Sequence, residues 1–490
     1  MNTRRDQVQA HGFLVGRLST AMLEADPDAV EAPMNRTRTG AAIGLVLSLL
    51  IGAGFLVFGL IFPGNATSWR TEGTVVAVED GGGRYVYSDG ALWPVANQAS
   101  ALLLGEPVQV SAASLDGTPV ASAIGIGGAP DAVPPPPAED AAPSAWQVCA
   151  VPVATGEDED PRALTALTVG GGESGEGGEA GGGESPVPGD RAVLAAGPDG
   201  TRHLLWRGER LRLDTEHGAL EALGYGTTPA HPVSARFLSA LPAGPELAAA
   251  QVDGVGGEGP RIGGGKRRIG QVFTVGGGDG ADQYYVLERG GLAPIGEVRA
   301  RLLLADPRTA AQAYPGGDPE AVPLDAADVR PHLSDRERDD GGLPGEPPAL
   351  TETGGAALCA VDRGEGPTLA LRGPSTITAR AADPPPGAAP SCTPPDLIGI
   401  PAGEGGLVRA ARAGGRADRG AYYLVTDAGA KYPVPDAESA ERLGHPPGGA
   451  RDVPAAVLDM LPTGPELSTS AAARPAADPT PPKEADCPSG

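Results

Sequence analysis

Hydrophobic residues are most concentrated in residues 41–62, a segment without a single charged side chain. Because a helix rises 1.5 Å per residue, these 22 residues would form a helix about 33 Å long, enough to cross a hydrocarbon layer of about 30 Å. Arg36 and Arg38 precede the segment closely, whereas Arg70 is the only basic residue in the next fifteen positions. By the positive-inside rule, the pattern predicts one membrane-spanning helix, a cytoplasmic head (residues 1–40) and an extracytoplasmic body.

A cleaved signal peptide is the alternative interpretation, since Ala66, Thr67 and Ser68 loosely resemble a cleavage site. The apolar run is longer than the 7–15 residues typical of a signal peptide, and the head that precedes it is unusually long. We therefore expect a retained single-pass anchor in the cytoplasmic membrane.

The head carries a second apolar pattern, in which Val8, Val15, Leu18 and Met22 recur at helical spacing and Pro27 ends the run. This spacing predicts an amphipathic helix. An isolated helix of about 20 residues is only marginally stable in water, so its apolar face should pack on something. We expect these four residues to dock on a partner protein; the membrane surface is the alternative.

Small residues occupy every fourth position at the start of the apolar segment: Gly40, Gly44, Ser48 and Gly52. Small residues at this spacing allow two membrane helices to approach closely, which predicts a helix-packing face. The alternative is that glycine is simply common in membrane helices.

The body repeats itself in two ways. The sequence YVYSDGALWPV at residues 85–95 is matched 200 residues later by YVLERGGLAPI at residues 285–295. The same register continues from LLLGEP to LLLADP. With an offset of 220 residues, LPAGPEL at residues 241–247 is matched by LPTGPEL at residues 461–467. Matches at such constant spacing predict an internal duplication.

Each repeated segment reads as a β-rich run, a glycine-centred turn, a second run and an Ala/Leu-rich helix. The predicted fold class is therefore α+β: one N-terminal transmembrane helix, then four hairpin-plus-helix modules around a central β-containing domain. The predicted modules are residues 71–125, 191–250, 268–330 and 416–470, and the predicted central domain combines residues 144–154 with 350–372. Residues 155–189 are predicted to be a flexible Gly/Glu-rich loop, and residues 471–490 a disordered Pro/Ala-rich tail.

The chain has a net charge of −25 and a pI near 4.6. An acidic surface argues against nucleic acid as a partner. Residues 253–265 are poor in apolar residues and are predicted to be flexible, and Gly263–Arg268 is predicted to be a disordered basic loop. That segment only superficially resembles a phosphate-binding loop, because the GxxxxGK[ST] spacing is missing.

Four cysteines, Cys149, Cys359, Cys392 and Cys487, lie in the predicted extracytoplasmic body. Disulfides are expected there, and four cysteines allow three connectivities. Cys149 and Cys359 share the tripeptide Cys-Ala-Val, which indicates equivalent places in the two halves. No metal-binding spacing accompanies the cysteines, and His203, His217 and His231 lack a neighbouring carboxylate cluster. We predict no catalytic, cofactor-binding or metal-binding residues, since no GxSxG or HExxH motif occurs either.

The sequence TRRDQVQAH at residues 3–11, followed by GLIFPG at residues 59–64 ahead of Trp69, resembles the EccB family of type VII (ESX) secretion proteins. The resemblance implies a core component of a membrane secretion complex with the FtsK-like motor ATPase EccC, with EccD and EccE, and with a mycosin protease. It also implies extracytoplasmic domains that associate with one another, four repeat modules around a central domain, and a disulfide that maps onto Cys149 and Cys359. It assigns no role to Cys392 or Cys487, and the segments near 155–189 and 253–265 look expanded relative to the family.

The predicted function is that of a scaffold that links a cytoplasmic motor to extracytoplasmic domains. Members of the family often carry an ATPase label, so an extracytoplasmic nucleotide hydrolase without a standard phosphate-binding loop is one alternative. A cell-wall-binding repeat protein is the other, although the low aromatic content of 4% leaves few stacking surfaces for carbohydrate.

Overall fold

The computed structural model describes residues 4–24, 33–61, 67–137, 144–153, 162–170, 183–277, 282–411 and 421–479. Most of the predicted loop 155–189, the end of the predicted tail, Pro27 and Cys487 lie outside the described residues. The chain divides into two compact units. The first contains residues 1–70 with 78–82 and 109–118, and the second contains the remainder.

Within the described ranges the helices have the following bounds: α1 (Arg4–Glu24), α2 (Pro33–Ile61), α3 (Gln98–Leu104), α4 (Ala219–Ala222), α5 (Ala235–Ser239), α6 (Glu297–Ala305), α7 (Pro307–Ala313), α8 (Ala326–Val329), α9 (Ala437–Arg442), α10 (Ala455–Leu458) and α11 (Thr469–Ala472). The strands are β1 (Thr74–Val78), β2 (Arg84–Ser88), β3 (Ala91–Pro94), β4 (Val108–Val110), β5 (Trp146–Val153), β6 (Arg162–Val169), β7 (Ser185–Pro186), β8 (Arg191–Ala196), β9 (Arg202–Trp206), β10 (Glu209–Arg212), β11 (His231–Pro232), β12 (Glu258–Ile262), β13 (Gly265–Arg268), β14 (Val272–Val275), β15 (Gln283–Glu288), β16 (Gly291–Ile295), β17 (Val322–Pro323), β18 (Ala349–Leu350), β19 (Ala357–Asp362), β20 (Pro367–Arg372), β21 (Arg380–Ala381), β22 (Leu397–Gly399), β23 (Gly406–Ala411), β24 (Tyr422–Thr426), β25 (Ala430–Val434) and β26 (Arg451–Pro454).

Four small sheets begin with the same antiparallel meander. We call them the first sheet (β1, β2, β3), the second (β8, β9, β10), the third (β14, β15, β16) and the fourth (β23, β24, β25). In the last three, a strand that follows the helices returns parallel to the first strand of the meander: β11 beside β8, β17 beside β14 and β26 beside β23. The prediction of a mixed α+β fold is confirmed.

Local sequence explains the hairpins and the helices that follow them. Asp89 and Gly90, and Arg207 and Gly208, form two-residue turns with all four φ angles positive, the conformation that matches the twist of a hairpin. After the fourth hairpin, the carboxylate of Asp436 accepts a hydrogen bond from the Ser439 N–H at 2.7 Å and begins α9. Asn97 caps α3 in the same way. Such N-caps satisfy backbone donors that the helix itself leaves unpaired.

Successive side chains of a strand point to opposite faces of its sheet. Both sets of side chains in β8 are buried, so the second sheet is covered on both faces. Ala192 and Leu194 belong to one hydrophobic core and Val193 and Ala195 to another. The first of these cores also contains Leu302 of α6, so α6, the helix after the third meander, packs on the second sheet. The other core extends to the central sheet and reaches the fourth sheet.

The helix after the first sheet, α3, shares a core with the fourth sheet. It contains Ala99 and Leu103 of α3 together with Leu424 and Tyr432 of the fourth sheet and Leu443 after α9. The modules therefore pack in pairs, the first with the fourth through α3 and the third with the second through α6. This pairing was not predicted from the sequence, because it depends on contacts between segments that are far apart in the chain.

A seven-stranded central sheet joins the halves, with the order β21-β22-β6-β5-β19-β20-β7. Its middle consists of two hairpins, β5–β6 and β19–β20, placed side by side through antiparallel β5 and β19. Three of these strands fall inside the predicted central segments 144–154 and 350–372, since β5, β19 and β20 lie there.

Three segments differ from the sequence predictions. β6 lies inside 155–189, which was predicted to be flexible; its alternating Ala, Leu, Thr and Val residues pair along the whole length of β5. Residues 258–268 are not a disordered loop but the hairpin β12–β13, which turns at Gly263 and Gly264 with positive φ. The fourth sheet begins at Gly406 rather than 416, because β23 lies before the predicted module.

The predicted tail is also ordered at its start. Ala472 of α11 is fully buried in the core that α3 shares with the fourth sheet. Pro475 then forms a β-bridge with Ile124. The prediction of disorder from residue 471 is therefore wrong as far as Pro479, and residues 480–490 are outside the described ranges.

Candidate assembly surfaces and the central disulfide

The four residues predicted to dock a partner are all exposed on α1. Val8 is 68%, Val15 53%, Leu18 61% and Met22 82% exposed. Phe13 is 70% exposed as well, and the sequence analysis missed it because it lies off the apolar stripe. A helix that presents this much apolar surface has a face available for another molecule.

In the part of the chain that the structure describes, α2 is the one helix long and apolar enough to cross a membrane, with its apolar window at Thr39–Val57. The helix begins at Pro33, eight residues before the predicted segment 41–62, and includes that segment up to Ile61. The described side chains from Ile43 to Val57 are exposed.

The predicted packing face lies along α2. A Cβ atom added to Gly40, Gly44 or Gly52 would meet no heavy atom within 4 Å. The Ser48 hydroxyl donates a hydrogen bond to the Leu45 carbonyl at 3.0 Å, within its own helix. The backbone on this face is therefore open to close approach by a neighbouring helix.

Cys149 and Cys359 form a disulfide bond at the centre of the central sheet. They lie opposite each other on β5 and β19, and the two side chains are fully buried among small apolar residues that include Ala166 and Ala370. Burial keeps soluble thiols away from the bond, which favours a structural role over redox exchange.

A half-buried carboxylate joins neighbouring segments at one edge of the central sheet. Glu184 accepts hydrogen bonds from Arg372 at 2.6 Å and from Arg363 at 3.0 Å. Burial alone would raise the pKa of Glu184, but the two arginines outweigh it and lower that pKa. Glu184 lies just before β7, Arg372 lies on β20 and Arg363 lies in the β19–β20 turn. The contact among these three side chains therefore helps to define the strand register at that edge of the sheet.

A second charged contact fixes the fourth sheet against the central sheet. Arg451 of β26 donates to the Asp362 carbonyl oxygen at 2.7 Å and also to the Ser144 carbonyl oxygen. Burial lowers the pKa of the Arg451 guanidinium, while Asp362 acts in the opposite direction. Replacing Arg451 or Asp362 would leave the other side chain as a poorly solvated charge. This contact therefore specifies how the two sheets meet.

Arginines also join the paired small sheets. Arg442 of α9 donates to the Leu103 carbonyl at 3.0 Å, at the end of α3. Arg301 of α6 donates to the Ala222 carbonyl at 3.5 Å, at the end of α4. In both pairs a cation satisfies a carbonyl at a helix C-terminus, where the helix dipole favours positive charge.

The histidines that the sequence analysis selected are separated in the structure. His203 and His231 are buried in the second sheet, while His217 lies at the surface and contacts Asp214 at 2.6 Å. Burial lowers the pKa of His203 and of His231. Among the described residues, no group of three or more His, Cys, Asp or Glu side chains is arranged to hold a metal ion.

The basic segment at Gly263 has the wrong context for a phosphate-binding loop. Such a loop connects a strand to a helix N-terminus, whereas Gly263 and Gly264 connect β12 to β13. Arg267 folds back and donates a hydrogen bond to the Ile262 carbonyl at 2.9 Å.

One apolar helix, followed by a body of mixed α+β structure with a disulfide at its centre, defines the chain as a candidate single-anchor membrane protein. The family model described as "Type VII secretion system ESX-1, transport TM domain B" matches residues 1–482. The chain therefore belongs to the EccB family of type VII secretion systems, and the resemblance seen in the sequence is confirmed.

The curated relatives belong to the same family, but some of them match this chain over only part of their length. The "ESX-3 secretion system ATPase EccB3" of Mycolicibacterium smegmatis is 29% identical over 310 residues, which covers 61% of this chain and 56% of that protein. The "ESX-2 secretion system ATPase EccB2" of Mycobacterium tuberculosis is 26% identical over 339 residues, covering 68% of this chain and 64% of the relative. The chain thus spans less than two thirds of these relatives in the matched region. The EccB3 protein of M. tuberculosis matches over 517 residues at 29% identity, covering 95% of this chain and 88% of the relative.

Two solved structures share the fold. A chain of the intact ESX-5 inner membrane complex superposes with a TM-score of 0.62 at 23% identity, covering 99% of this chain and 97% of that one. The EccB3 dimer from the ESX-3 core complex gives a TM-score of 0.61 at 23% identity, covering 82% of this chain and 100% of that one. At this identity the likeness concerns the fold.

Proposed function

We propose that this protein is a core structural component of a type VII secretion complex in the cytoplasmic membrane, and that it links a cytoplasmic motor to extracytoplasmic domains. The observation that carries the proposal is the family match over residues 1–482. The exposed apolar residues of α1, placed directly before an apolar α2, support a role in assembly rather than in catalysis.

We propose an orientation with the head in the cytoplasm and the body outside. Arg36 and Arg38 precede α2, and one basic residue, Arg70, follows it closely. Basic residues next to a membrane helix stay on the cytoplasmic side. The buried Cys149–Cys359 disulfide supports this orientation, because such bonds persist in oxidising compartments.

We infer that α1 docks through Val8, Val15, Leu18 and Met22 on a cytoplasmic partner. The family resemblance makes the FtsK-like motor EccC the foremost candidate partner. Gly40, Gly44, Ser48 and Gly52 would then pack α2 against a neighbouring membrane helix, such as one of EccD or EccE.

We infer further that the body is a duplicated set of four modules. Three observations support the duplication: the common meander, the parallel return strand in the last three sheets, and the helix-end contacts of Arg442 and Arg301. In this duplication the first module corresponds to the third and the second module to the fourth. The contact between the first and fourth modules is then equivalent to the contact between the third and second modules. Cys149 and Cys359 then face each other across the pseudo-twofold axis.

We propose that the acidic bodies associate with one another and with a mycosin protease. The structure of the EccB3 dimer supports self-association for that relative. This chain covers the whole length of the dimer's chain, so the same elements are available for such a contact.

The test is extraction of the tagged full-length chain in mild detergent, followed by native mass determination and identification of the proteins that accompany it. The expected result is a large assembly that contains an FtsK-like ATPase. A chain that remains a monomer or dimer at several detergent strengths would contradict the scaffold proposal.

Several relatives are named as ATPases, so a hydrolase is the second candidate. It is tested by ATP hydrolysis measured with the purified chain and with the assembly. Activity that scales with the amount of this chain in the absence of EccC would favour the hydrolase. Activity that follows EccC alone would leave this chain as a scaffold.

A further inference from the structure

A later segment of the chain contacts the outer edge of the third meander strand in each of the four small sheets. We call these the edge segments: residues 119–124 beside β3, 242–247 beside β10, 332–337 beside β16 and 462–467 beside β25. Each makes the same first contact, in which a backbone N–H of the segment donates to a carbonyl of the strand at 2.8–3.0 Å. The donors and acceptors are Ala121 and Leu92, Gly244 and Arg210, Ser334 and Leu292, and Gly464 and Lys431.

Three residues further on, three of the edge segments make a second contact with the strand. The N–H groups of Ile124, Leu247 and Leu467 donate to the carbonyls of Pro94, Arg212 and Pro433, each at 2.8 Å. All three donor residues are aliphatic and buried. The second contact therefore combines one backbone hydrogen bond with one buried aliphatic side chain.

The third sheet lacks this second contact. Glu337 stands three residues after Ser334, where the other edge segments have Ile or Leu, and it is exposed. A carboxylate cannot replace a buried aliphatic side chain without a large desolvation cost. Within the described ranges, no N–H donates to the Pro294 carbonyl, which is the counterpart of the Pro94 and Pro433 carbonyls. The outer edge of β16 is therefore unpaired at Pro294.

A cavity of about 620 Å³ opens beside this unpaired edge. Pro294 and Ile295 line it from β16, and Tyr284 and Tyr285 line it from β15. Binding pockets in proteins commonly have volumes of about 300–1,000 Å³. The cavity is thus large enough for a few residues of an extended chain, and it offers apolar and aromatic surface next to a free carbonyl.

The charged residues of the cavity leave an excess of negative charge. Each arginine on its wall, Arg301 and Arg338, is paired with a carboxylate, at 2.5 and 2.7 Å. Asp282 and Glu346 also line the cavity and are exposed, and neither forms an ion pair with any residue that the structure describes. Two unpaired carboxylates favour a lysine or arginine side chain in whatever binds there.

We propose that this cavity is a docking site for an extended segment of a partner protein that carries a lysine or arginine beside an aliphatic residue. The segment adds to the edge of β16 and donates an N–H to the Pro294 carbonyl, as Ile124 does to Pro94. Unpaired strand edges bind extended chains in this way. The neighbouring Gly296 N–H is already bonded to the Asp340 carboxylate at 2.5 Å, so the Pro294 carbonyl is the backbone group on offer.

The second sheet indicates which position of the segment carries the cation. Glu246 directly precedes the aliphatic Leu247, and its carboxylate lies 3.9 Å from the guanidinium of Arg212, the counterpart of Pro294. The residue before the aliphatic one therefore reaches charged groups along this edge. In the third sheet the unpaired groups at the edge are carboxylates, so a basic residue is expected at that position.

Two synthetic peptides test the site on the full-length protein in detergent. One is GPKLAA, which is residues 244–249 of this chain with lysine in place of Glu246, and the other is the unchanged segment GPELAA. Both are acetylated, amidated and fluorescently labelled. Fluorescence anisotropy should show that GPKLAA binds about tenfold more tightly. Equal affinities, or no binding of GPKLAA at millimolar concentration, would overturn the proposal.

Charge reversal locates the binding. Asp282→Lys with Glu346→Lys should reverse the preference, so that GPELAA binds more tightly than GPKLAA. The matched control is Asp318→Lys with Glu320→Lys, which makes the same change at two exposed residues of the third module outside the cavity, and it should keep the original preference. A preference for GPKLAA that persists in the cavity variant would place the binding elsewhere and overturn the proposal.

A modified peptide tests the pairing with β16. GPKLAA with a methyl group on the leucine nitrogen lacks the N–H that would bond to the Pro294 carbonyl, and it should bind about fivefold more weakly. Methylation of the last alanine nitrogen is the control and should leave the affinity unchanged. Equal affinities of the two methylated peptides would contradict addition of the segment to the strand edge.

Discussion

Cys149 and Cys359 lie directly opposite each other on β5 and β19, with their Cα atoms 4.0 Å apart, although 210 residues separate them in the chain. Their bond therefore closes a loop that contains the second and third sheets and leaves the first and fourth outside it. The two hairpins of the central sheet, one from each half of the body, are held together covalently at their shared edge.

Replacing both cysteines by alanine should lower the free energy of unfolding by about 2–5 kcal/mol, since the loop is long and the bond restricts the unfolded chain. Thermal unfolding of the full-length protein in detergent measures the change. Glu216→Gln, which changes an exposed side chain and retains the central bond, is the control. An unchanged melting temperature in the double variant would contradict a stabilising role.

The turn at Gly208 should be far less tolerant of a side chain than the equivalent turn at Gly90. Both glycines have positive φ, of 78° and 74°, so alanine costs about 1 kcal/mol at either site. A Cβ at Gly208 would also lie 1.8 Å from the Pro367 carbonyl oxygen of the central sheet, whereas one at Gly90 meets nothing within 4 Å. Gly208→Ala should therefore lose about 1–3 kcal/mol more than Gly90→Ala in chemical denaturation. Equal losses would show that the second sheet can move away from β20.

Charges on the apolar face of α1 should release the chain from its complex. Val15→Asp with Leu18→Asp buries two carboxylates in any contact made by these exposed residues, which disfavours binding by several kcal/mol. Co-purification of the motor is the measurement. Gln9→Asp, on the opposite side of α1, is the matched control, and melting of the body should be unchanged in both variants. Normal recovery of the motor with the double variant would exclude docking through this face.

Bulky residues on the small-residue face of α2 should weaken helix packing in the membrane. The double variant Gly44→Leu with Gly52→Leu would prevent close backbone approach. We expect the free energy of helix association to weaken by about 1–2 kcal/mol, and the yield of membrane partners in mild detergent to fall severalfold. Ala53→Leu introduces the same side chain on the opposite face and should have no such effect. Equal yields from the two variants would mean that Gly44 and Gly52 reflect composition alone.

Acid should destabilise the body through its buried histidines. Burial lowers the pKa of His445 below its usual 6.5, although the ring nitrogen that faces the Pro134 carbonyl at 2.8 Å acts in the opposite direction. His203 and His231 are shifted the same way. Below pH 6.5 the unfolded chain binds more protons than the folded one, so stability present above that pH is lost as the pH falls. Melting temperatures at pH 7.5 and 5.5 measure the loss, and His445→Gln, which retains a hydrogen-bond donor, should reduce it. A melting temperature that rises as the pH falls would contradict the predicted loss of stability in acid.

The repeat pattern predicted hairpins where the structure has them, because a hairpin depends on neighbouring residues: alternating apolar side chains and a turn that accepts positive φ. The failures occurred where local composition was ambiguous. β6 is followed directly by a Gly- and Glu-rich run, but it pairs with β5 along its whole length, so its order comes from a partner strand. The hairpin β12–β13 has few apolar residues, but Ile262 is buried in a core with Phe273 and Leu287 of the third sheet.

The sequence by itself determined the apolar anchor, the amphipathic α1 and the family, because membrane length, helical spacing and motif are properties of short segments. Only the tertiary structure decided that α3 packs with the fourth sheet and α6 with the second, that Cys149 faces Cys359 across β5 and β19, and that the start of the C-terminal tail is ordered. These features depend on apolar surfaces and hydrogen-bonding edges that are far apart in the chain and become complementary only when the whole body has folded.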